Sequence, residues 1–344
     1  MFPIRQARRR QTLNLNNGDI LRVEHLQKYF PVEKSFLEKL LAKNKHYVKA
    51  VDDVSFAVRR GEIFTLAGES GCGKTTTGKL ALKLASPTGG SIFFDDIDIT
   101  RLKGESLRNL RRKMQMIFQD PYASFNPRMK IGDAIGHPLT IHGVAQGTDR
   151  QKRVMEILER VGLSPAEKFT DLFPHQMSGG QRQRAAMARS LVLQPEFIVA
   201  DEPVSMIDVS LRTAIIDLML DLRKDLGLTY LFITHDLAVA KYISDRIAIM
   251  YLGKIVELGD KDAIFFNPAH PYTKALLAAI PVPNPERKRR ATELIGEVPS
   301  AVNIPSGCRF RTRCRYAEQA CSEKEPDLVE ISPGHFAACS LVEE

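Results

Sequence analysis

Three absences narrow the field before any motif is read. No stretch of about eighteen uncharged apolar residues occurs in the chain, so no membrane-spanning helix is expected. Met1 to Arg10 carries Arg5, Arg8, Arg9 and Arg10 with no apolar segment behind it. That argues against a secretory signal, and a soluble intracellular protein is the expectation. The cysteines include no C-x-x-C pair, the spacing typical of structural zinc sites. What is present suffices for two domains: 344 residues, 44% of them hydrophobic, can build one large α/β core and a smaller appendage. The net charge of +8 suits nucleic acid, an anionic membrane surface or merely solvated faces, and does not choose among them.

The chemistry is carried first by Gly68-Glu69-Ser70-Gly71-Cys72-Gly73-Lys74-Thr75, a complete G-x-x-x-x-G-K-[ST] string. Glu62 to Ala67 before it is a short, mostly apolar run that reads as a buried strand; Lys74 to Leu84 after it can continue as a helix. In that setting the glycines let successive backbone N–H groups and a helix N-terminus converge on phosphate oxygens. Lys74 reaches the outer phosphates and the Thr75 hydroxyl can ligate Mg²⁺. The loop therefore points to a nucleoside triphosphate.

Residues 1–19 form a basic tail, Ile20 to Leu26 and Val48 to Val58 read as strands, and the Lys-rich stretch between them as an insertion. Tyr29 or Phe30 could stack on a base, although an aromatic ending a strand is more often core. Further along, Met114 to Phe118 is a buried strand ending at Gln119, and Phe197 to Ala200 is another ending at Asp201-Glu202. Thr229 to Thr234 is a third, ending at His235. Polar residues at the C-terminal ends of buried strands sit where α/β sheets bind ligands. Asp201 can hold Mg²⁺, Glu202 can polarise an attacking water, and Gln119 can touch the metal or that water. Ser178-Gly179-Gly180-Gln181 opens a helical stretch, Gln181 to Leu193, and sets a hydroxyl at its N-terminus.

In this order, across residues 20–265, these motifs closely resemble the nucleotide-binding subunits of ABC transporters. The resemblance implies an α/β fold with a P-loop ATPase core, a helical signature subdomain and antiparallel strands. It assigns Gly68, Glu69, Ser70, Gly71, Cys72, Gly73, Lys74, Thr75 and Thr76 to the Walker A loop, with Thr75, Gln119 and Asp201 toward Mg²⁺. Ser178 to Gln181 become the signature, Glu202 the catalytic base, Ser205 to Asp208 the D-loop, His235 the switch histidine, and Phe30 or its neighbour Tyr29 the adenine-stacking aromatic. The D-loop reads Ser-Met-Ile-Asp where the family usually has Ala-Leu between its polar ends. Head-to-tail pairing is also implied, with the signature of each subunit closing on ATP held by the other. A soluble ABC-type ATPase acting on nucleic acid is the alternative of another class. It would ordinarily show a long coiled coil or two ATPase cores, whereas residues 76–177 hold no sustained heptads and the phosphate loop occurs once.

After Phe265 the composition shifts. Pro281, Pro283, Pro285 and the Arg287 to Arg290 run read as a linker, and Cys308, Cys314, Cys321 and Cys339 follow. Spacing alone leaves zinc, a [4Fe-4S] cluster and unliganded core thiols open. Gly296 to Ser300, Pro305 to Phe310, Arg313 to Ala317 and Gly334 to Cys339 are similar to the C-terminal region of the oligopeptide/dipeptide branch of ABC importers. That resemblance implies a [4Fe-4S] cluster on the four cysteines, with zinc as the alternative, in a C-terminal unit over 266–344. The Gln119-Asp120-Pro121 to Asn126-Pro127-Arg128-Met129 segment and Glu202-Pro203-Val204-Ser205 resemble the second ATPase of such a pair more than the first, which implies a subunit that powers peptide import, or oligosaccharide import in the alternative, at the cytoplasmic face of the membrane. The partners implied are a paralogous ATPase, two permeases and an extracytoplasmic binding protein, with no nucleic acid.

Overall fold

The computed structural model describes residues 18–32, 47–280 and 296–342; the basic tail, most of the Lys-rich insertion and the proline-rich linker lie outside the described residues. Two 13-residue strands, β1 (Asp19–Pro31) and β2 (Tyr47–Arg59), pair antiparallel. With β4 (Gly89–Phe94) and β5 (Ile97–Asp98) they form a four-stranded sheet in the order β2-β1-β4-β5. The second sheet takes β3 (Ile63–Ala67), β6 (Met114–Ile117), β7 (Phe197–Asp201), β8 (Thr229–Thr234), β9 (Arg246–Tyr251) and β10 (Lys254–Asp260). Two C-terminal strands, β11 (Val329–Ser332) and β12 (His335–Ala337), complete it in the order β11-β12-β10-β9-β3-β8-β7-β6.

The chain composition explains the division. Strands β3, β7 and β8 are buried along their whole length, as continuous apolar runs in a parallel sheet require, and they pair in parallel with one another and with β6 and β9. From β9 onward the pairing is antiparallel, so β12 and β11 extend the sheet of the ATPase core itself. Helix α1 (Lys74–Ala81) follows β3 directly and α2 (Gly104–Lys113) precedes β6. Helices α3 (Ile131–Ile141), α4 (Gly147–Arg160) and α5 (Gly179–Leu191) pack as a helical layer through Ile131, Ile135, Leu139, Val154, Leu158 and Met187. The long α6 (Val209–Leu226) stops at Gly227, which takes the left-handed conformation common after a helix end. A second core lies between the two sheets, where the Phe56 and Phe64 rings stack 5.2 Å apart. A third gathers Tyr251, Tyr272 of helix α7 (Pro271–Ala278) and Phe310 beneath the C-terminal segment. Among the described residues, no helix is long and apolar enough to cross a membrane.

Candidate functional site

In the sheet order β6-β7-β8-β3, the C-terminal ends of four adjacent strands carry Gln119, Asp201-Glu202, His235 and the Gly68–Thr75 loop. The loop has no room for side chains at two points. A Cβ on Gly68 would lie 2.3 Å from the Met250 carbonyl oxygen, and one on Gly73 2.1 Å from that of Ala50, with φ at +149° and +110°. Only glycine meets both demands. Gly73 then starts α1 at Lys74, whose ammonium turns back into the loop and donates to the carbonyls of Gly68 (2.7 Å) and Glu69 (2.9 Å). Ser70 and Gly71 stand exposed at the tip, Thr76 is half-buried in the first helical turn, and Cys72 is buried. Burial pushes the Cys72 thiol pKa up, so this residue packs rather than reacts.

Thr75 donates its hydroxyl to Asp201 at 2.8 Å, joining the loop to the end of β7. Burial raises the Asp201 carboxyl above its ordinary range, opposed by the Thr75 hydrogen bond and reinforced by the neighbouring charge of Glu202. A divalent cation between Thr75 and Asp201 would reverse that penalty, since it favours the ionised carboxylate. Glu202 sits at φ 46°, an outlier that costs a non-glycine residue roughly 1–3 kcal/mol. That turn aims its carboxylate across the strand ends: Oε2 accepts from Gln119 Nε2 at 3.0 Å, and Oε1 lies 3.0 Å from His235 Nδ1. Gln119, Glu202 and His235 thus form one string over β6, β7 and β8, with the His235 side chain 55% exposed toward the open face.

Other expected site residues stand apart. Ser178 caps α5: its hydroxyl accepts from the Gln181 N–H at 3.3 Å while the Gln181 side-chain oxygen accepts from the Ser178 N–H at 3.0 Å. The helix therefore begins at Gly179, not at Gln181, with Ser178 exposed and Gly180 buried. Among the described residues, no hydrogen bond joins this stretch to the Gly68–Thr75 loop. Asp208 is exposed before α6, and Ser205 turns its hydroxyl back onto the Glu202 carbonyl at 3.0 Å. At the end of β1 the two aromatics part. Tyr29 donates its hydroxyl to Asp52, and burial together with that carboxylate pushes its pKa up to about 12. Phe30 is 41% exposed, with the Lys28 ammonium 5.0 Å from its ring centroid.

The four C-terminal cysteines are all free thiols, Cys321 and Cys339 buried, Cys308 and Cys314 half-buried. The Cys308 N–H donates to the Cys321 carbonyl at 2.8 Å. Burial raises the Cys308 thiol to about 11, and the charges of Cys321, Cys339 and Cys314 add to the shift. The C-terminal segment thus carries four sulfurs, the number a cluster or zinc would need. Yet no group of three His, Cys, Asp or Glu side chains among the described residues is arranged to hold a metal ion.

The ABC transporter family profile matches residues 51–205, and the profile described as the oligopeptide/dipeptide transporter C-terminal region matches residues 256–321. The oligopeptide transport ATP-binding protein AppF of Bacillus subtilis (strain 168) is 46% identical over 329 residues, 95% of this chain and 98% of AppF. The chain belongs to the ATP-binding proteins of ABC transporters, in the oligopeptide/dipeptide branch. Solved folds agree. The ATP-binding cassette MJ0796, in a dimeric post-hydrolysis state bound to ADP and Pi, superposes with TM-score 0.61 at 28% identity, covering 70% of this chain and 98% of that one. The structure of cbiO1 from Clostridium perfringens, part of the cbiONQ transporter complex, gives TM-score 0.61 at 25% identity over 73% of this chain and 92% of its own.

Nothing in the sequence of this ABC ATPase marks the contacts that tie residues beyond 266 to Glu69 of the loop and to Asp52 of β2. Arg313 grips Glu69, Tyr272 meets Glu69, and Arg309 reaches Asp52. Equally unmarked is the fully buried Glu257, which accepts from His335 Nε2 at 2.8 Å and from the N–H groups of Ala269 and His270. An arginine-rich stretch reads equally well as solvated, and no local spacing marks a partner so distant in the chain.

Proposed function

We propose that this chain is the ATP-hydrolysing subunit that energises import of oligopeptides or dipeptides. The observation that carries the reading is the alignment of Gln119, Glu202 and His235 beside the Thr75–Asp201 bridge, next to a loop built for phosphate. In this reading Lys74 and the loop N–H groups bind the β- and γ-phosphates, while Thr75 and Asp201, with Gln119, would hold Mg²⁺, which supplies charge neutralisation at the phosphates. Glu202 orients a water and accepts its proton. His235 and Gln119, each at hydrogen-bond distance from a different carboxylate oxygen, keep that carboxylate aimed. Phe30 stacks on the adenine. Ser178, Gly179, Gly180, Gln181 and Asp208 complete the site of a second ATPase, a paralogous subunit, in the manner supported by the dimeric ATP-binding cassette it resembles.

Two permeases and an extracytoplasmic binding protein complete the importer, with this subunit peripheral on the cytoplasmic face. Cys308, Cys314, Cys321 and Cys339 would hold a [4Fe-4S] cluster, or zinc, in a structural or regulatory role, since ATP hydrolysis uses no electron carrier. The peptide assignment rests on the match to the oligopeptide/dipeptide transporter C-terminal region and on the likeness to AppF; no observation favours oligosaccharide or nucleic acid. Uptake of a labelled peptide by proteoliposomes holding the complete importer tests the reading. Uptake that needs internal ATP and disappears with Lys74→Ala is expected; ATP-driven uptake of an oligosaccharide but no peptide would overturn it.

A further inference from the structure

Between Cys308 and Cys314 the chain makes a tight coil, with N–H···O=C bonds from Arg311 to Cys308 (3.1 Å) and from Arg313 to Phe310 (2.9 Å). Phe310, 3% exposed, anchors the coil against the rings of Tyr251 and Tyr272, 5.4 and 5.3 Å away. Each cysteine at its ends is followed or preceded by a buried arginine, and both arginines leave the coil for the nucleotide side of the molecule. Arg313, 6% exposed, meets Glu69 with two prongs, Nη1 to Oε2 at 2.7 Å and Nη2 to Oε1 at 3.0 Å. Glu69 is held at its other end as well, since its N–H donates to the Tyr272 hydroxyl at 3.0 Å. Its carbonyl is one of the two that receive the Lys74 ammonium. Arg309, equally buried, binds Asp52, the Leu252 carbonyl and Glu325, and the same Asp52 takes the Tyr29 hydroxyl beside Phe30.

Surface ion pairs contribute little, but a two-pronged pair on a buried arginine fixes geometry even where the carboxylate is 24% exposed, as Glu69 is. We propose that Arg309 and Arg313 are positioning residues for the nucleotide site, clamping its phosphate end through Glu69 and its base end through Asp52. The four-cysteine segment thereby sets the affinity for ATP. This rests on the reading of Gly68–Thr75 as the triphosphate site. Neither arginine touches the reacting atoms. Their effect passes through the Glu69 backbone to Lys74, and through Asp52 to the strand end that bears Tyr29 and Phe30.

The test measures the Kd for Mg·ATP of the full-length chain, with KM and kcat of the assembled ATPase, for Arg313→Gln, Arg313→Lys, Cys314→Ser and the Arg313→Gln/Cys314→Ser pair. Coupling between distinct sites commonly spans roughly 5- to 150-fold. Arg313→Gln is expected to raise Kd and KM about tenfold within that range while kcat stays within about twofold, and Arg313→Lys to recover part of the affinity. Cys314→Ser weakens binding in the same direction, and the double variant is no weaker than the worse single, because both changes release one clamp. Should Arg313→Gln fail to fold, Arg313→Lys and Cys314→Ser carry the same comparison. Wild-type affinity in the arginine variants, or fully additive losses in the pair, would overturn the clamp. A wild-type chain that binds no nucleotide would instead overturn the triphosphate reading, and the clamp with it.

Discussion

Where β6, β7, β8 and β3 end, the polar side chains meet one another at one face, with His235 exposed on it and Asp201 buried behind: Gln119 on Glu202, His235 on Glu202, Thr75 on Asp201. Across the sheet, around β10 and β12, polar groups are equally paired but sealed. Glu257 is fully buried under His335 and His270, and Arg309 and Arg313 are buried against Asp52 and Glu69. The first set can exchange its internal bonds for a ligand's; the second cannot open without stranding charge. One sheet therefore carries a working edge and a bracing edge. The Glu69–Arg313 pair is where they join.

Changes on the two edges should consequently differ in kind. The largest effect belongs to the open edge: Glu202→Gln should cut phosphate release by about 10²- to 10⁴-fold, the usual worth of a general base, with the melting temperature hardly moved. A comparable loss of stability would erase the distinction. Next comes a pH effect on the sealed edge. Burial lowers the His270 pKa to about 4 from its ordinary 6.5, so the unfolded chain takes up a proton in that interval and the folded chain does not. Stability is then fully present above about 6.5 and falls as pH drops toward 4, by about 3 kcal/mol for a displacement of that size. The same protonation would break the cap in which His270 Nδ1 accepts from the Tyr272 N–H at 3.0 Å. Denaturant melts between pH 4 and 7 should flatten for His270→Asn over this interval; an unchanged slope would place the pH dependence elsewhere. The smallest effect separates the two aromatics. Phe30→Ala should weaken ATP binding roughly two- to tenfold, as one lost stacking contact would, and Tyr29→Phe less. The opposite order would move the stacking role to Tyr29.

The same contrast governs how much was legible beforehand. Strands β3, β7 and β8 read correctly because a buried parallel strand is a continuous apolar run, and the turn over Gly68–Gly73 was legible because its glycines are demanded by local backbone geometry. Helix limits were less legible. Helix α1 ends at Ala81 rather than running to Leu84, with Lys83 taken into the left-handed region at φ 55°. The start at Gly179 came from a cap whose two bonds tie Ser178 and Gln181 together. On the sealed edge, Arg313 lies 244 residues from Glu69 and Arg309 257 from Asp52. Nothing at either end announces the other, so an Arg-rich coil between cysteines carries no more local information than a solvated loop. Strands β11 and β12 add to the sheet for a reason equally remote, the pairing of Glu257 and Leu258 with Ala337 and Phe336.

Equilibrium binding of Mg·ATP to the full-length chain, wild type beside Lys74→Ala, tests the central claim most directly. Saturable binding by the wild type is expected, with a loss of about 100-fold in affinity when the Lys74 ammonium is removed, the scale of one buried charge-assisted contact. Equal affinity in the two chains would contradict it, because the Gly68–Thr75 loop would then not be where the triphosphate sits.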